Sequence, residues 1–126
     1  MAALSAAAAD VEELHGIRVE LASSGDCPVD EESGALVLAA REAMTNAAKF
    51  SGAEEIDVYA EVTDEAIAVF VRDRGSGFER SAVPPGRRGL AESIERRLER
   101  AGGRATVVSA PGEGTEVELH LPRRPS

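Results

Sequence analysis

The side chains best suited to carry chemistry begin on one predicted helix, in segment 41–49. Glu42, Asn46 and Lys49 are spaced four and then three residues apart, so on a helix they project from one side. An amide oxygen there can ligate Mg²⁺, a carboxylate can orient or deprotonate an attacking group, and an ammonium can meet a phosphate. Taken alone, this spacing is also typical of a solvated polar stripe with a Glu/Lys pair.

A second candidate segment directly follows a predicted strand. It contains Asp73, Gly75 and Gly77 in the pattern D-x-G-x-G. A carboxylate at a strand end can accept a hydrogen bond from an exocyclic amine such as that of adenine, and glycines let the backbone approach a flat ring or a phosphate. Asp and Gly also favour ordinary turns, so this pattern alone is weak evidence for a ligand site.

A third segment opens a predicted helix with Gly86, Arg87, Arg88, Gly89 and Leu90. The unpaired backbone N–H groups and the positive dipole end of such a helix favour a phosphate. The two arginines can add positive charge. Long basic side chains near a loop are usually solvated, however, so this segment does not decide the matter by itself.

Alternating aliphatic and polar residues predict the elements that must position these side chains. Helical patterns occupy residues 2–14, 31–49 and 89–101, and strand patterns occupy residues 17–21, 56–62, 67–71, 104–109 and 115–121. The glycines at 102 and 103 end the last helix, and turns at 63–64 and 111–114 close two hairpins. This order predicts an α+β fold, a two-layer sandwich with helices on one face of a mixed sheet.

The composition argues against several classes of protein. The formal charge is −9, and a duplex-binding domain normally needs a basic face, so we expect no nucleic acid partner. Cys27 is the only cysteine, which argues against a disulfide or a thiolate zinc cluster. No apolar stretch is long enough to span a bilayer or to resemble a signal peptide. We therefore expect a cytoplasmic domain without direct membrane contact, although its parent protein can be anchored in the cell membrane.

The order and spacing of these segments resemble the GHKL ATPases, which share the Bergerat ATP-binding fold. The matching positions are Glu42, Asn46 and Lys49 for the N box, Asp73, Gly75 and Gly77 for the first glycine box, residues 86–90 for the second glycine box, and residues 112–115 for the final glycine motif. The resemblance extends over residues 16–122, nearly the whole chain.

This resemblance implies ATP and Mg²⁺ as the ligands of the site. Asn46 would hold Mg²⁺, Glu42 would assist phosphoryl transfer as the catalytic residue, and Lys49 would touch phosphate. Asp73 would read the adenine amino group, and Thr115 would line the adenine side of the pocket. The loop 77–89 would form the lid over the nucleotide. Further nucleotide-binding positions implied by the family pattern are Gly75, Gly77, Gly86, Arg88, Gly89 and Leu90.

Within the superfamily, the form R-E-A-x-T-N-A-x-K, the short lid and L-E-R-A-G-G are similar to the NarX/DesK-like bacterial sensor histidine kinases. Other stretches resemble kinases with a phage-shock-protein-C-like sensor. The resemblance implies that residues 1–15 are a helix or linker from a dimerisation region outside this chain, and that residues 16–126 are the catalytic domain. Neither His15 nor His120 fits a phosphoacceptor. The implied partners are therefore a separate dimerisation and phosphoacceptor domain and a response regulator.

Two other functions stay open from the sequence. A serine kinase of the anti-sigma-factor type shares the N box and the short lid. A non-catalytic nucleotide or protein-interaction module is the other alternative.

The predicted last helix alternates basic and acidic residues. The arginines at 96, 97 and 100 interleave with the glutamates at 92, 95 and 99. This pattern predicts a solvated face with ion pairs along the helix surface.

Overall fold

The computed structural model describes residues 2–25, 31–50, 54–75, 94–110 and 114–122. Its helices are α1 (Ala2–His15) and α2 (Glu31–Phe50), and residues 94–100 are also helical. The strands are β1 (Arg18–Ser24), β2 (Glu55–Val62), β3 (Ala66–Asp73), β4 (Arg104–Ala110) and β5 (Gly114–Pro122). Among the described helices, none combines the length and the apolar character that crossing a membrane requires. Within the described ranges, the helices and strands lie where the sequence predicts them, so these predicted elements are confirmed.

The five strands form one mixed sheet in the order β1-β2-β3-β5-β4. β1 runs parallel to β2, with Val19 opposite Ile56, whereas the other three pairings are antiparallel. Parallel neighbours cannot be joined by a tight turn, and the long connection between β1 and β2 contains α2. The two hairpins, β2-β3 and β4-β5, lie side by side because β3 pairs with β5.

Strand alternation separates the two faces of the sheet. Ile56, Val58 and Ala60 are buried along β2, and Val69 and Val71 are buried along β3, while the residues between them are partly or fully exposed. Since α2 packs on β2, β3 and β5, the buried face is the one beneath the helices. The structure therefore confirms the two-layer α+β sandwich with helices on one face of a mixed sheet.

The helix α1 belongs to the same core. Its Leu4 and Val11 are each 1% exposed, and it packs on α2 and β1. Alanines at 7 and 8 are also buried, and such small side chains let two helices approach closely. Arg41 on α2 pairs with Asp10 on α1 at 3.7 Å. The assignment of residues 1–15 to a dimerisation region stays a prediction.

The helical segment 94–100 ends as its sequence predicts. Gly102 has a φ of 89°, in the left-handed region that glycine adopts without strain. The Gly103 N–H donates to the Leu98 carbonyl at 2.7 Å, which satisfies one of the last carbonyls of the helix. Ile94 and Leu98 are 1% and 0% exposed, so this segment packs into the core beneath its polar side.

Candidate nucleotide-binding site

The side chains of Glu42, Asn46 and Lys49 lie along one side of the continuous helix α2. Glu42 and Asn46 are partly buried and Lys49 is exposed, whereas Ala43 and Ala47 beside them are buried. These polar residues therefore flank the stripe that packs on the sheet. The helix α1 contacts α2 at the position of Arg41, which is rotated by about 100° from Glu42 around the helix axis.

Asp73 is the last residue of β3, and its side chain points to the helix-covered face of the sheet. It is 4% exposed, and within the described ranges it is the one charged residue that is buried. Its Oδ1 accepts a hydrogen bond from the Gly75 N–H at 2.9 Å. This bond fixes the direction of the carboxylate. Because burying a carboxylate is costly, its position at the end of a core strand indicates a specific polar role.

Thr115 lies directly opposite Asp73 in the pairing of β5 with β3. Directly paired residues of two neighbouring strands project from the same face, so the threonine hydroxyl and the carboxylate share the helix-covered side. Thr115 is partly buried. The sheet thus brings together two predicted site residues that are far apart in the sequence.

Gly114 makes this close pairing possible. Its φ is 79°, and a Cβ at this position would collide with the backbone carbonyl oxygen of Asp73 and approach the Cα of Arg74 to 3.1 Å. Asp73 ends β3 and Gly114 begins β5, so the close approach joins the two strand ends that carry Asp73 and Thr115. A glycine is therefore needed here for its conformation and for its missing side chain.

We expect Gly114→Ala to lower the free energy of unfolding by roughly 2 to 4 kcal/mol, because a left-handed alanine costs about 1–2 kcal/mol and the backbone collision adds a further penalty. Urea unfolding followed by circular dichroism measures this loss. Gly16→Ala is the matched control, because Gly16 has a φ of 66° and a Cβ added there would meet nothing within 4 Å. The control should lose only about 1–2 kcal/mol. Equal losses in the two variants would contradict the collision.

The ion pair of Arg97 differs from the expected pairs along the surface of one helix, because its partner lies on another helix. Its Nη1 donates to Oε2 of Glu42 on α2 at 3.1 Å, and the two side chains are 37% and 20% exposed. Arg96 and Arg100 are exposed, as the sequence predicts. Arg97 follows Ile94 by three residues and directly precedes Leu98, both buried, so it borders the inward stripe. That position was the available signal that Arg97 lies at the edge of the packed side of the helix rather than on its fully exposed side.

The energy of this contact is small on its own. A partly exposed ion pair of this kind is worth about 0–1 kcal/mol. The Arg41–Asp10 pair is longer, at 3.7 Å, and its side chains are 45% and 54% exposed, so water screens it more strongly. The Arg97–Glu42 contact therefore matters more for where it holds a carboxylate than for stability.

Five of the predicted nucleotide-binding residues lie outside the described residues. They are Gly77, Gly86, Arg88, Gly89 and Leu90. The remaining ones fall in both layers of the sandwich: on the side of α2 that carries Glu42 and Asn46, and at the paired ends of β3 and β5 in the sheet. A buried carboxylate beside a hydroxyl can read a ring amine, while a carboxylate with a nearby amide can orient a nucleophile and a metal-bound phosphate.

Known proteins match the chain in sequence over most of its length. The model of the histidine kinase-, DNA gyrase B- and HSP90-like ATPase family matches residues 31–125. An uncharacterized sensor-like histidine kinase of Chloroflexus aurantiacus is 36% identical over 94 residues, which cover 71% of this chain and 16% of the relative. The sensor histidine kinase LiaS of Bacillus subtilis is 32% identical over 82 residues, which cover 65% of this chain and 22% of LiaS. The chain thus spans about a fifth or less of these relatives.

A solved structure matches the fold over nearly the whole chain. The ATP-binding domain of PrrB from Mycobacterium tuberculosis superposes with a TM-score of 0.74 at 26% identity, covering 97% of this chain and 92% of that domain. A superposition of this extent means that the two chains share a fold. The chain therefore belongs to the histidine kinase-, DNA gyrase B- and HSP90-like ATPase family and has the GHKL ATP-binding fold of sensor histidine kinases.

Proposed function

We propose that this chain binds Mg-ATP and donates the γ-phosphoryl group to a histidine on a dimerisation domain outside it, in two-component signal transduction. The observation that carries the proposal is the buried carboxylate of Asp73, held by the Gly75 N–H and paired with Thr115 on the sheet face beneath α2. Family membership and the sensor kinase relatives support the same conclusion.

Adenine recognition is assigned to the paired strand ends. The Asp73 carboxylate accepts a hydrogen bond from the adenine amino group, and Thr115 lines the same side of the base. A buried carboxylate gives strong discrimination here, because a base without the amino donor would leave the charge unpaired. Gly75 belongs to the turn that lets the backbone approach the ring, and Gly77, which lies outside the described residues, is proposed to bind the nucleotide as well.

Phosphate and metal binding are assigned to α2 and to the segment 86–90. Asn46 is the proposed protein ligand of Mg²⁺, and its amide oxygen suits this hard cation. Among the described residues, no group of three His, Cys, Asp or Glu side chains could hold an ion alone. With one amide oxygen as the proposed protein ligand, the ion would take its other ligands from ATP phosphates and water. When bound, Mg²⁺ supplies charge neutralisation on the phosphates.

The chemistry proposed for the remaining residues is positioning and proton handling. Glu42 orients the acceptor imidazole or accepts its proton, and Lys49 neutralises phosphate charge from the same side of α2. Gly86, Arg88, Gly89 and Leu90 are proposed to contact the phosphates through backbone N–H groups and positive charge. Because the transition state of phosphoryl transfer is loose, alignment and charge neutralisation carry most of the catalysis.

The proposed biological setting follows from this chemistry. We place the domain in the cytoplasm, with the phosphoacceptor domain and a response regulator as partners. The NarX/DesK-like assignment, with a phage-shock-protein-C-like sensor, stays a prediction. Without its acceptor the chain should bind ATP but turn it over slowly.

The proposal predicts phosphorylation of a histidine when the acceptor is supplied. The chain is incubated with γ-labelled ATP, Mg²⁺ and the dimerisation domain of its parent protein. We expect label on that domain that is lost in acid and stable in alkali. A dimerisation domain with its histidine replaced by glutamine is the control and should stay unlabelled.

Two outcomes would contradict the proposal. Acid-stable label on a serine would indicate a kinase of the anti-sigma-factor type. Absence of transfer to the intact acceptor, by a chain that binds ATP, would favour a non-catalytic module.

A further inference from the structure

The contact between Arg97 and Glu42 joins two helices at the predicted catalytic carboxylate. The Nη1 of Arg97 lies 3.1 Å from the Oε2 of Glu42, and the two residues are 55 positions apart in the sequence. Glu42 lies on α2, whereas Arg97 lies in the helical segment 94–100. The distance is that of a direct charge-assisted hydrogen bond.

The core fixes the backbone positions of both partners. On the segment 94–100, Ile94 and Leu98 on either side of Arg97 are buried, and on α2 the neighbouring Ala43 and Met44 are buried. The guanidinium and the carboxylate therefore extend from two rigid elements toward each other. A glutamate side chain on a helix surface otherwise samples several rotamers, and its carboxylate direction is then undefined.

We propose that Arg97 is a positioning residue for Glu42, an inference that rests on the proposed function. By holding Oε2, the guanidinium fixes the carboxylate plane and directs Oε1 at the acceptor nucleophile. The described residues give Oε1 no hydrogen-bond partner, so that oxygen is available for the nucleophile. A general base works only when its oxygen lies about 2.6–3.2 Å from the atom that gives up the proton. A carboxylate held in that place therefore accelerates the reaction more than a mobile one.

A direct role of Arg97 on the nucleotide is the competing interpretation. Its side chain is 37% exposed and carries further N–H donors, which could contact a phosphate. The two roles differ in their effect on the affinity for the nucleotide. A phosphate contact contributes to nucleotide affinity, whereas a positioning contact acts on the rate at saturating nucleotide.

The test compares Arg97→Gln, Arg97→Lys and Glu42→Gln, singly and as the double variant with Arg97→Gln. Affinity for a non-hydrolysable ATP analogue with Mg²⁺ is measured by calorimetry. Single-turnover release of labelled phosphate from ATP gives the rate with water as the nucleophile. Arg96→Gln is the matched control, because Arg96 is the exposed neighbour on the same segment.

We expect Arg97→Gln to release phosphate about 10-fold more slowly, with an analogue affinity within about 3-fold of the wild type. Arg97→Lys, which keeps a charged donor, should recover most of the rate. In the Glu42→Gln background, Arg97→Gln should have no further effect, because the group it positions is gone. Arg96→Gln should match the wild type throughout.

A second readout does not depend on turnover. In the ligand-free chain, the Arg97 guanidinium N–H resonances should be resolved and slowed in rotation by the bond to Glu42. In Glu42→Ala they should collapse to the averaged signal of a solvated arginine. Identical arginine spectra in the two proteins would overturn the proposal, since the contact would then be absent in solution.

The outcomes separate this inference from the proposed function. A folded wild type that binds no analogue overturns both. Normal binding with a slow Glu42→Gln variant and an unchanged Arg97→Gln variant overturns the positioning role alone. A loss of analogue affinity of 10-fold or more in Arg97→Gln, on the order of 1.4 kcal/mol, would assign Arg97 to the nucleotide instead.

Discussion

Glu42→Gln is expected to slow phosphoryl transfer to the acceptor histidine by about 100- to 10,000-fold, the range that a positioned general base contributes. Glutamine keeps the length of the side chain and an oxygen that can accept from Arg97, so the contact between α2 and the segment 94–100 can persist. What the variant loses is the negative charge and the basic oxygen. Affinity for Mg-ATP should change by less than about 3-fold, because the proposed role lies in the transition state.

The rate is measured with labelled ATP and the supplied acceptor domain, and the affinity by calorimetry. Glu61→Gln serves as the control, because Glu61 is exposed on β2 and lies between two buried residues of the helix-covered face. It therefore points to the other side of the sheet. A Glu42→Gln variant that transfers phosphate at the wild-type rate would remove Glu42 from the mechanism.

Asp73→Asn is expected to weaken binding of the ATP analogue by about 10- to 100-fold. A hydrogen bond to a charged group is worth about 1.5–3 kcal/mol, and each 1.4 kcal/mol changes affinity tenfold. Asparagine can still accept from the Gly75 N–H through its own Oδ1, so the turn after β3 is kept. Its amide nitrogen then takes the place of the second carboxylate oxygen and presents a donor where the adenine amino group also donates.

Calorimetry with the same analogue measures this loss, and thermal unfolding confirms that the variant is folded. Asp64→Asn is the matched control, because Asp64 is exposed in the turn between β2 and β3, at the opposite end of β3 from Asp73. Its affinity should equal that of the wild type. If Asp73→Asn binds as tightly as the control, adenine is recognised elsewhere.

Local pattern was sufficient to predict the helices and strands within the described ranges. Residues such as Ile56, Val58 and Ala60 alternate with polar neighbours, and this period of two specifies a strand with one buried face. The end of the last helix was equally predictable, because Gly102 and Gly103 are the residues that a helix C-terminus requires. These features depend on neighbours in the sequence.

The strand order and the place of α1 could not be obtained in this way. That β1 pairs in parallel with β2, and that β3 pairs with β5, are contacts between distant segments. Likewise, the alanine-rich sequence of α1 predicts a helix but not that Leu4 and Val11 are buried against the rest of the core. Such contacts are decided by how apolar faces fit together, which a single periodic pattern does not encode.

In the candidate site, too, the features that depend on local sequence could be predicted, and those that depend on contacts between distant segments could not. The spacing of Glu42 and Asn46 on one helix places them on one side, and the structure has them there. The register that sets Asp73 beside Thr115, and the bond from Arg97 to Glu42, needed the tertiary structure. The error about Arg97 came from counting charges along one helix, where neighbouring glutamates supply plausible partners. The buried residues Ile94 and Leu98 place Arg97 beside α2, where it pairs with Glu42 instead.

The most direct test of the central claim is calorimetric binding of a non-hydrolysable ATP analogue to the unmodified chain, with and without Mg²⁺. We expect stoichiometric binding that Mg²⁺ strengthens, since Asn46 and the phosphates would share the ion. Absence of binding by the folded chain in the presence of Mg²⁺ would contradict it, and the fold would then serve a role other than nucleotide binding.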